Sequence, residues 1–349
     1  MNDNPVKPLS IYDLDLVQLQ ERVVDWGEPS YRALQIWQGV YKQLWSSPVG
    51  FTSLSKGLRQ RLDAEYSLWN MRPEISKTSL DKNTVKTLFR LGDEKAIETV
   101  LMRYNKRNTL CISSQAGCGM GCVFCATGQM GLKRNLTSGE IVEQVVYYAR
   151  ILKASGESIT NVVVMGMGEP FHNYDATLHA LDRLNDKDGF NLGARRLTIS
   201  TVGLVPAIRR FASEGRQYNL AVSLHAAEDE LRSSLLPINK KYPLNELLAA
   251  CRDYVEQTRR RITFEWALIL DVNDSMEQAQ ILASKLKGLL CHVNVIPLNP
   301  TPQYRGTGTT RQRAEIFRDE LAHHGIPCTV RLRRGIEIQA GCGQLAIQV

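Results

Sequence analysis

What this 349-residue sequence lacks is the first guide to its function. No run of about eighteen apolar residues occurs, which excludes a helical membrane span. Residues 1–7 contain no apolar segment of the kind that directs secretion, so the expected location is the cytoplasm. Low-complexity tracts and internal repeats are missing as well. With 43% hydrophobic residues, the chain has enough apolar side chains for a packed core. Charge of neither sign dominates: 43 Lys and Arg against 36 Asp and Glu give a formal +7. That balance leans towards an anionic partner without naming one. Eight cysteines are too few for a disulfide scaffold at this length, and a reducing compartment keeps them as thiols. Clustered thiols then point to metal ligation or catalysis.

Periodicity gives the organisation. Residues 14–25, 31–46 and 54–63 place apolar side chains three and four apart, which predicts a helical domain over 1–75. Within it Trp37, Tyr41 and Trp45 share one packing face. Residues 84–91 and 96–101 partly alternate around Gly92-Asp93. They predict a hairpin extension, 76–108, with Glu98 on its second strand. From residue 109, strands at 109–113, 160–166, 196–200, 218–224, 262–269 and 292–297 alternate with helices near 137–153, 175–186, 204–213, 244–258 and 275–287. The expected class is α/β, with a partial (β/α)6 barrel over 109–300 and an N-terminal helical accessory domain. Pattern alone leaves an open doubly wound sheet about equally compatible. A C-terminal extension, 301–349, holds a basic helix near 310–323 and the Gly341-Cys342-Gly343 loop.

Cys118-Gly-Met-Gly-Cys122-Val-Phe-Cys125 is the sharpest signal. Three thiols within eight residues follow a strand in a glycine-rich loop that lets them converge. Structural zinc would want a fourth ligand, and no Cys or His stands at suitable local spacing. Three thiolates can instead hold three irons of a [4Fe–4S] cube and leave the fourth iron open. This CxxxCxxC pattern, with Phe124 before the third cysteine, resembles the radical S-adenosylmethionine (radical SAM) superfamily. The resemblance implies S-adenosylmethionine on the open iron, cleaved to a 5′-deoxyadenosyl radical. Val162 to Pro170 supports it: a hydrophobic strand ends in Gly168-Glu169-Pro170, leaving a carboxylate ready to accept from an ammonium group. No G-x-G-x-x-G opens the next helix, so this is not a dinucleotide fingerprint.

A narrower resemblance rests on Cys111-Ile-Ser-Ser-Gln-Ala-Gly-Cys118, Cys125-Ala-Thr-Gly, Gly131-Leu-Lys-Arg-Asn-Leu136, Val222-Ser-Leu-His225-Ala, Ile296-Pro-Leu-Asn299-Pro and Ala340-Gly-Cys342-Gly-Gln-Leu345. Together these resemble the RlmN family of dual-specificity RNA methyltransferases. The family's substrates imply methylation of C2 of adenine 2503 in 23S rRNA and of adenine 37 in certain tRNAs. The sister family Cfr, which methylates C8 of the same ribosomal adenine, uses the same motifs and remains the alternative. The resemblance implies two S-adenosylmethionine molecules per methylation, one donating a methyl to Cys342 and one serving as radical source. The Cys342 thiomethylene radical then adds to the base, Glu98 accepts a proton, and Cys111 resolves the protein–RNA adduct by forming a Cys111–Cys342 disulfide. It further implies an external electron donor such as flavodoxin or ferredoxin.

Gly168, Glu169, Ser200, Ser223, Leu224, His225 and Asn299 stand at or near expected strand ends and are the cofactor-binding candidates by resemblance. From the residues alone, His225 could equally be a hydrogen-bonded core histidine. Cys251, Cys291 and Cys328 match no family position and are expected to pack. Three basic groups form a candidate RNA route: Arg103, Lys106 and Arg107; Lys133 and Arg134; Arg331, Arg333 and Arg334. The N-terminal helices are expected to read RNA shape, and the chain is expected to be a monomer.

Overall fold

The computed structural model describes residues 9–331 and 333–346. The outer limits of the expected 1–75 and 301–349 segments, and position 332 in the basic tail, lie outside the described residues. The N-terminal unit comprises β1 (Leu9–Ser10), α1 (Leu16–Asp25), α2 (Tyr31–Gln38), α3 (Lys56–Glu65) and β2 (Tyr66–Ser67), with β1 parallel to β2. Asp15 and Gln18 close a capping box on α1. The expected 31–46 helix is interrupted. Regular winding stops at Gln38, a π turn follows over Gly39–Gln43, and Leu44 takes a left-handed conformation. A Cβ on Gly39 would lie 2.3 Å from the Phe51 ring, so tight packing governs this turn. Trp37 and Tyr41 are buried 4.4 Å apart, whereas Trp45, beyond the helix, packs on Phe51.

A helical reading up to residue 75 overruns, because β3 (Arg72–Thr78) is already strand. It is an exposed edge strand, polar on both faces, and so carries no apolar period to announce it. β4 (Thr84–Arg90) and β5 (Ala96–Tyr104) form the expected hairpin, but β5 also pairs with β6 (Arg107–Ile112). The hairpin is thus part of the main sheet, not a linker to it. Next comes a small antiparallel pair, β7 (Gln115–Cys118) and β8 (Gly131–Asn135), with the cysteine loop and α4 (Ala126–Gln129) between them.

Parallel units then follow in turn: α5 (Ser138–Ala154) and β9 (Asn161–Val164), α6 (Tyr174–Asn185) and β10 (Leu197–Thr201), α7 (Val205–Ser213) and β11 (Asn219–Ser223). The chain continues through α8 (Asp229–Leu235), α9 (Leu244–Thr258) and β12 (Ile262–Leu268), α10 (Met276–Leu286) and β13 (Cys291–Pro297), then α11 (Arg311–His323) and β14 (Cys328–Val330). The ten-stranded sheet runs β14-β13-β12-β11-β10-β9-β6-β5-β4-β3. Every parallel strand adds to the same edge as its predecessor. With no reversal of strand order, right-handed crossovers put all the helices on one face, and the sheet curls around the other. This excludes the doubly wound alternative, which needs a switch point. β14 is a seventh parallel strand that the sequence reading did not anticipate. Among the described residues, no helix is long and apolar enough to cross a membrane.

The N-terminal unit is joined to the barrel through polar groups on α5. Glu143, fully buried, accepts from Ser10 Oγ at 2.8 Å, from the Asn70 N–H at 2.9 Å and from the Met71 N–H at 3.2 Å. Its neighbour Gln144 clasps Ser113 through both backbone groups and accepts from Thr99, fixing the exit of β6. Glu143→Ala should orphan two buried N–H groups and cost about 3 kcal/mol. The urea-unfolding midpoint of the variant reads this loss, and an unchanged midpoint would refute the tether.

Candidate active site

One cavity, of about 220 Å³, opens at the C-terminal ends of the parallel strands. Cys118, Cys122 and Cys125 line it, together with Cys111 near the end of β6 and Cys342 from the C-terminal segment. All eight cysteines are free thiols, so the Cys111–Cys342 disulfide implied by the resemblance is not formed here. Cys342 keeps an exposed surface yet lies deep in the cleft, walled by protein. Burial raises the pKa of every thiol in the group: Cys111 and Cys118 to about 12, Cys122, Cys125 and Cys342 also upwards. The neighbouring Cys342 adds to the rise at Cys111, and Arg331 draws both thiols back towards the thiolate. Cys251 and Cys291 are buried away from the cavity, and Cys328 is half-buried on β14.

The glycines around Cys342 act by contact. A Cβ on Gly341 would lie 2.5 Å from the Asn299 amide nitrogen, and Gly343 has φ +80°. Asn299 Nδ2 donates to the Cys342 carbonyl at 3.1 Å, and the Ala126 N–H donates to the Gly343 carbonyl at 2.8 Å. The loop is therefore anchored at two successive carbonyls, those of Cys342 and Gly343.

Glu169 closes the end of β9. Its carboxylate accepts from the Phe171 N–H at 2.9 Å and the Val202 N–H at 2.8 Å, while its own N–H donates to Gln115. Gly168 (φ +104°) permits this, since a Cβ there would meet Gln115 at 2.5 Å. Burial raises the Glu169 pKa to about 7 against the pull of those backbone donors. His225 is both core histidine and cavity wall. Its Nδ1 accepts from the Ala267 N–H at 2.9 Å, which leaves Nε2 as the protonated nitrogen. Burial, aided by the charge of Arg232, lowers its pKa to about 3, so the ring stays neutral. Ser200, Ser223 and Asn299 line the same wall.

Two candidates stand apart. Leu224 does not line the cavity; it is buried in the core, its N–H donating to Glu265 and its carbonyl accepting from Arg232. Glu98 shares a strand face with Val100, Met102 and Tyr104, which do line the cavity, but lies behind the C-terminal turn. It is paired with Lys86 at 2.8 Å and accepts from the Ala346 N–H at 3.0 Å. Lys86 and Arg331 were missed as site residues. Two opposite charges of equal parity on paired strands could have signalled Lys86. Arg331 lay hidden in a basic run, yet it lines the cavity and contacts Glu265 at 3.3 Å.

The proposed basic route is also redistributed. Arg134 is occupied by Asp93 and Glu140, both at 2.7 Å, and is structural. Tyr104, at the cavity wall, carries the guanidinium of Arg107 at 4.3 Å and that of Arg334 at 4.4 Å.

The donors fit a multinuclear cluster and a ligand beside it. Among the described residues, no three His, Cys, Asp or Glu side chains converge as a single-ion site, whereas three soft thiols share one wall. Asn299 Oδ1 is buried without a partner, as an acceptor awaiting a ligand donor would be. Comparison with known proteins agrees with this chemistry. The radical SAM superfamily model matches residues 112–280, and the ribosomal RNA large subunit methyltransferase N-terminal domain model matches residues 9–68. A probable dual-specificity RNA methyltransferase RlmN of Chloroflexus aurantiacus is 49% identical over 96% of this chain and 92% of that protein. Dual-specificity RNA methyltransferase RlmN 1 of Myxococcus xanthus is likewise 49% identical, over 97% and 95%. The chain belongs to the RlmN family. A crystal structure of a radical SAM methyltransferase from Sphaerobacter thermophilus superposes with a TM-score of 0.94 at 52% identity, covering 97% of this chain and 99% of that one. Membership of the radical SAM superfamily implies a [4Fe–4S] cluster and S-adenosylmethionine.

The raised Glu169 pKa has a consequence for the ligand-free protein. The folded state binds a proton that the unfolded state releases, so this group's contribution to stability falls as pH rises from about 4.5 to about 7. The fall amounts to roughly 3 kcal/mol. Glu169→Gln should flatten that part of the stability–pH profile, as read by denaturant unfolding; a parallel profile would show that Glu169 is ionised throughout.

Proposed function

We propose that this enzyme methylates C2 of adenine in RNA, at adenine 2503 of 23S rRNA and adenine 37 of certain tRNAs, through a methyl group carried on Cys342. The observation that carries the reading is the presence of Cys342 and Cys111 on the wall that also presents the three candidate cluster thiols. The relatives' names, dual-specificity RNA methyltransferase RlmN, support RNA as substrate. Cys118, Cys122 and Cys125 would hold the cluster, and Glu169, His225, Asn299 and the two serines would hold S-adenosylmethionine. When bound, these two supply one electron, a methyl group and a 5′-deoxyadenosyl radical.

The chain's own residues do the rest. Adenine C2 is electron-poor and does not attack a sulfonium methyl, so the carbon has to arrive as a radical. Cys342 takes a methyl from a first S-adenosylmethionine; Arg331 favours the thiolate this displacement needs. Hydrogen abstraction, using a second S-adenosylmethionine, leaves a thiomethylene radical on Cys342 that bonds to C2. Glu98 accepts the C2 proton, which requires the Ala346 contact over its carboxylate to open, and the unpaired electron left on the adduct would return to the cluster that supplied it. Cys111, as thiolate, then attacks the Cys342 sulfur: the S–S bond forms as the S–CH2 bond breaks, the departing carbon takes a proton to become the methyl group of the released RNA, and an external reductant reopens the disulfide. Burial holds Cys111 as the neutral thiol in the ligand-free protein.

At the rim, Tyr104 with Arg107 and Arg334 offers stacking and charge to a single-stranded nucleotide. Extruding the target base costs a few kcal/mol, which such contacts offset. A low-potential flavodoxin or ferredoxin would supply electrons.

Cys111→Ala tests the whole sequence. The variant should retain iron and sulfide, carry a methyl on Cys342, and stall as an RNA adduct. Early-time digestion and mass spectrometry should find adenosine joined to the Cys342 peptide. Wild-type turnover without an adduct would remove Cys111 from the mechanism. In wild-type digests 2-methyladenosine is expected, and exclusive 8-methyladenosine would assign the Cfr-type product instead.

A further inference from the structure

Arg232, on α8, is fully buried, and among the described residues its guanidinium has no carboxylate hydrogen-bond partner. Nε donates to the Leu224 carbonyl at 3.1 Å, Nη1 to Asn239 Oδ1 at 2.8 Å, and Nη2 to the carbonyls of Val202 at 2.8 Å and Ser223 at 3.2 Å. These acceptors satisfy the N–H groups but leave a whole positive charge uncompensated in a site that excludes water. Lys86, by contrast, meets Glu98 at 2.8 Å, and Asp274 meets Arg313 at 2.7 Å. A buried charge held only by neutral dipoles is costly. The cost shows as a pKa lowered to about 10, chiefly by burial.

The missing countercharge lies on the cysteine loop. Two of the carbonyls that hold the guanidinium belong to Val202 and Ser223, which line the same cavity as Cys122. The scaffold keeps cation and loop together. The Val123 N–H donates to the Leu235 carbonyl at 3.1 Å, and Cys122, Val123 and Phe124 pack with Leu235 and Leu236. α8 and the cysteine loop are therefore one packed unit, with the cation held beneath the loop.

We infer that Arg232 is an electrostatic positioning residue for the iron–sulfur cluster, setting its reduction potential and supplying its countercharge from inside the protein. The inference rests on reading Cys118, Cys122 and Cys125 as the cluster ligands. Three thiolates outweigh the positive charge of an oxidised cube, and taking up one electron adds another negative charge. A fixed cation nearby stabilises the reduced form more than the oxidised form and so raises the midpoint potential. Because the guanidinium is sealed from solvent, neither water nor salt screens this effect as it would at a surface site.

The test is a dithionite titration of the anaerobically reconstituted full-length enzyme, followed by electron paramagnetic resonance of the reduced cluster. Arg232→Gln and Arg232→Met remove the charge. The Met variant is included because apolar replacement of a buried ion is often tolerated where a polar one is not. Arg232→Lys restores the charge without the guanidinium fork. Both neutral variants should bind iron and sulfide like the wild type and titrate at a more negative potential, with the Lys variant returning towards the wild-type value. A wild-type midpoint in a fully loaded neutral variant overturns the inference. So does a folded neutral variant that loses its iron, since a cation that only tunes the cluster leaves its ligands intact. Failure of the wild type itself to bind a cluster would instead overturn the functional reading beneath it.

Discussion

The parallel sheet does not close on itself: β14 pairs only with β13, and the antiparallel hairpins occupy the other flank of β6. The mouth of the half-barrel is therefore open along one side, and the segment after β14 lies over that gap. Arg334 donates to the Arg103 carbonyl, the Leu80 N–H donates to Glu337, and the Ala346 N–H donates to Glu98. Close approach is built in by glycine. Gly335, at φ +59°, sits where a Cβ would meet Thr84 at 2.9 Å, and Gly341 fits under Asn299. A closed barrel would have no seam through which the C-terminal segment could bring a thiol to a cavity that Cys111 already lines from β6. The placement of the candidate chemistry thus depends on a strand-pairing defect.

Burial then sorts the charges. Desolvation pushes Glu169 and the cavity thiols towards their protonated forms and His225 towards its neutral form. Cations persist among these neutralised groups, with different degrees of compensation. Arg331 faces Glu265, which is itself steadied by Asn294 at 2.9 Å. Lys86 faces Glu98, and Arg232 faces only dipoles. The ligand-free cavity is consequently biased to receive negative charge on its cysteine side, while the neutral His225 and the strand-end serines suit polar, uncharged contacts.

Much of this was legible in the residues for physical reasons. Parallel strands such as β10, β12 and β13 alternate a buried apolar face with a half-buried one, and each parallel strand expected from the sequence came within a residue or two of its observed span. The cysteine triplet and Gly168-Glu169-Pro170 stood out because close spacing of thiols and backbone clearance restrict residue choice, and the cavity brings Cys118, Cys122, Cys125, Gly168 and Glu169 together. What escaped were features decided by tertiary contact. β3 is polar on both faces, β14 is three residues long, and α8 is a seven-residue helix with little apolar period. Arg331 and Arg232 look like ordinary solvated arginines, because a sequence shows charge but not whether a carboxylate faces it. Monotonic strand order, which separates the half-barrel from a doubly wound sheet, is likewise a property of pairing that no single strand encodes.

Glu98 and Cys342 are candidates for successive steps, yet the fold joins them through four residues. Gly343 holds the Ala126 N–H at the start of α4, the Leu345 carbonyl accepts from Thr127, and Ala346 covers the Glu98 carboxylate. The same short stretch thus touches the helix that follows the cysteine loop, the Glu98 carboxylate and the Cys342 thiol. Under the proposed mechanism the Cys342 thiol would meet S-adenosylmethionine, then a base, then Cys111, and would not keep one position throughout. Shifting it strains the Asn299 and Ala126 contacts first and, through the following residues, loosens the cover on Glu98. The carboxylate is shielded while Cys342 rests in its anchored position, and under the proposed mechanism movement of the sulfur would uncover it at the stage where a proton acceptor is required.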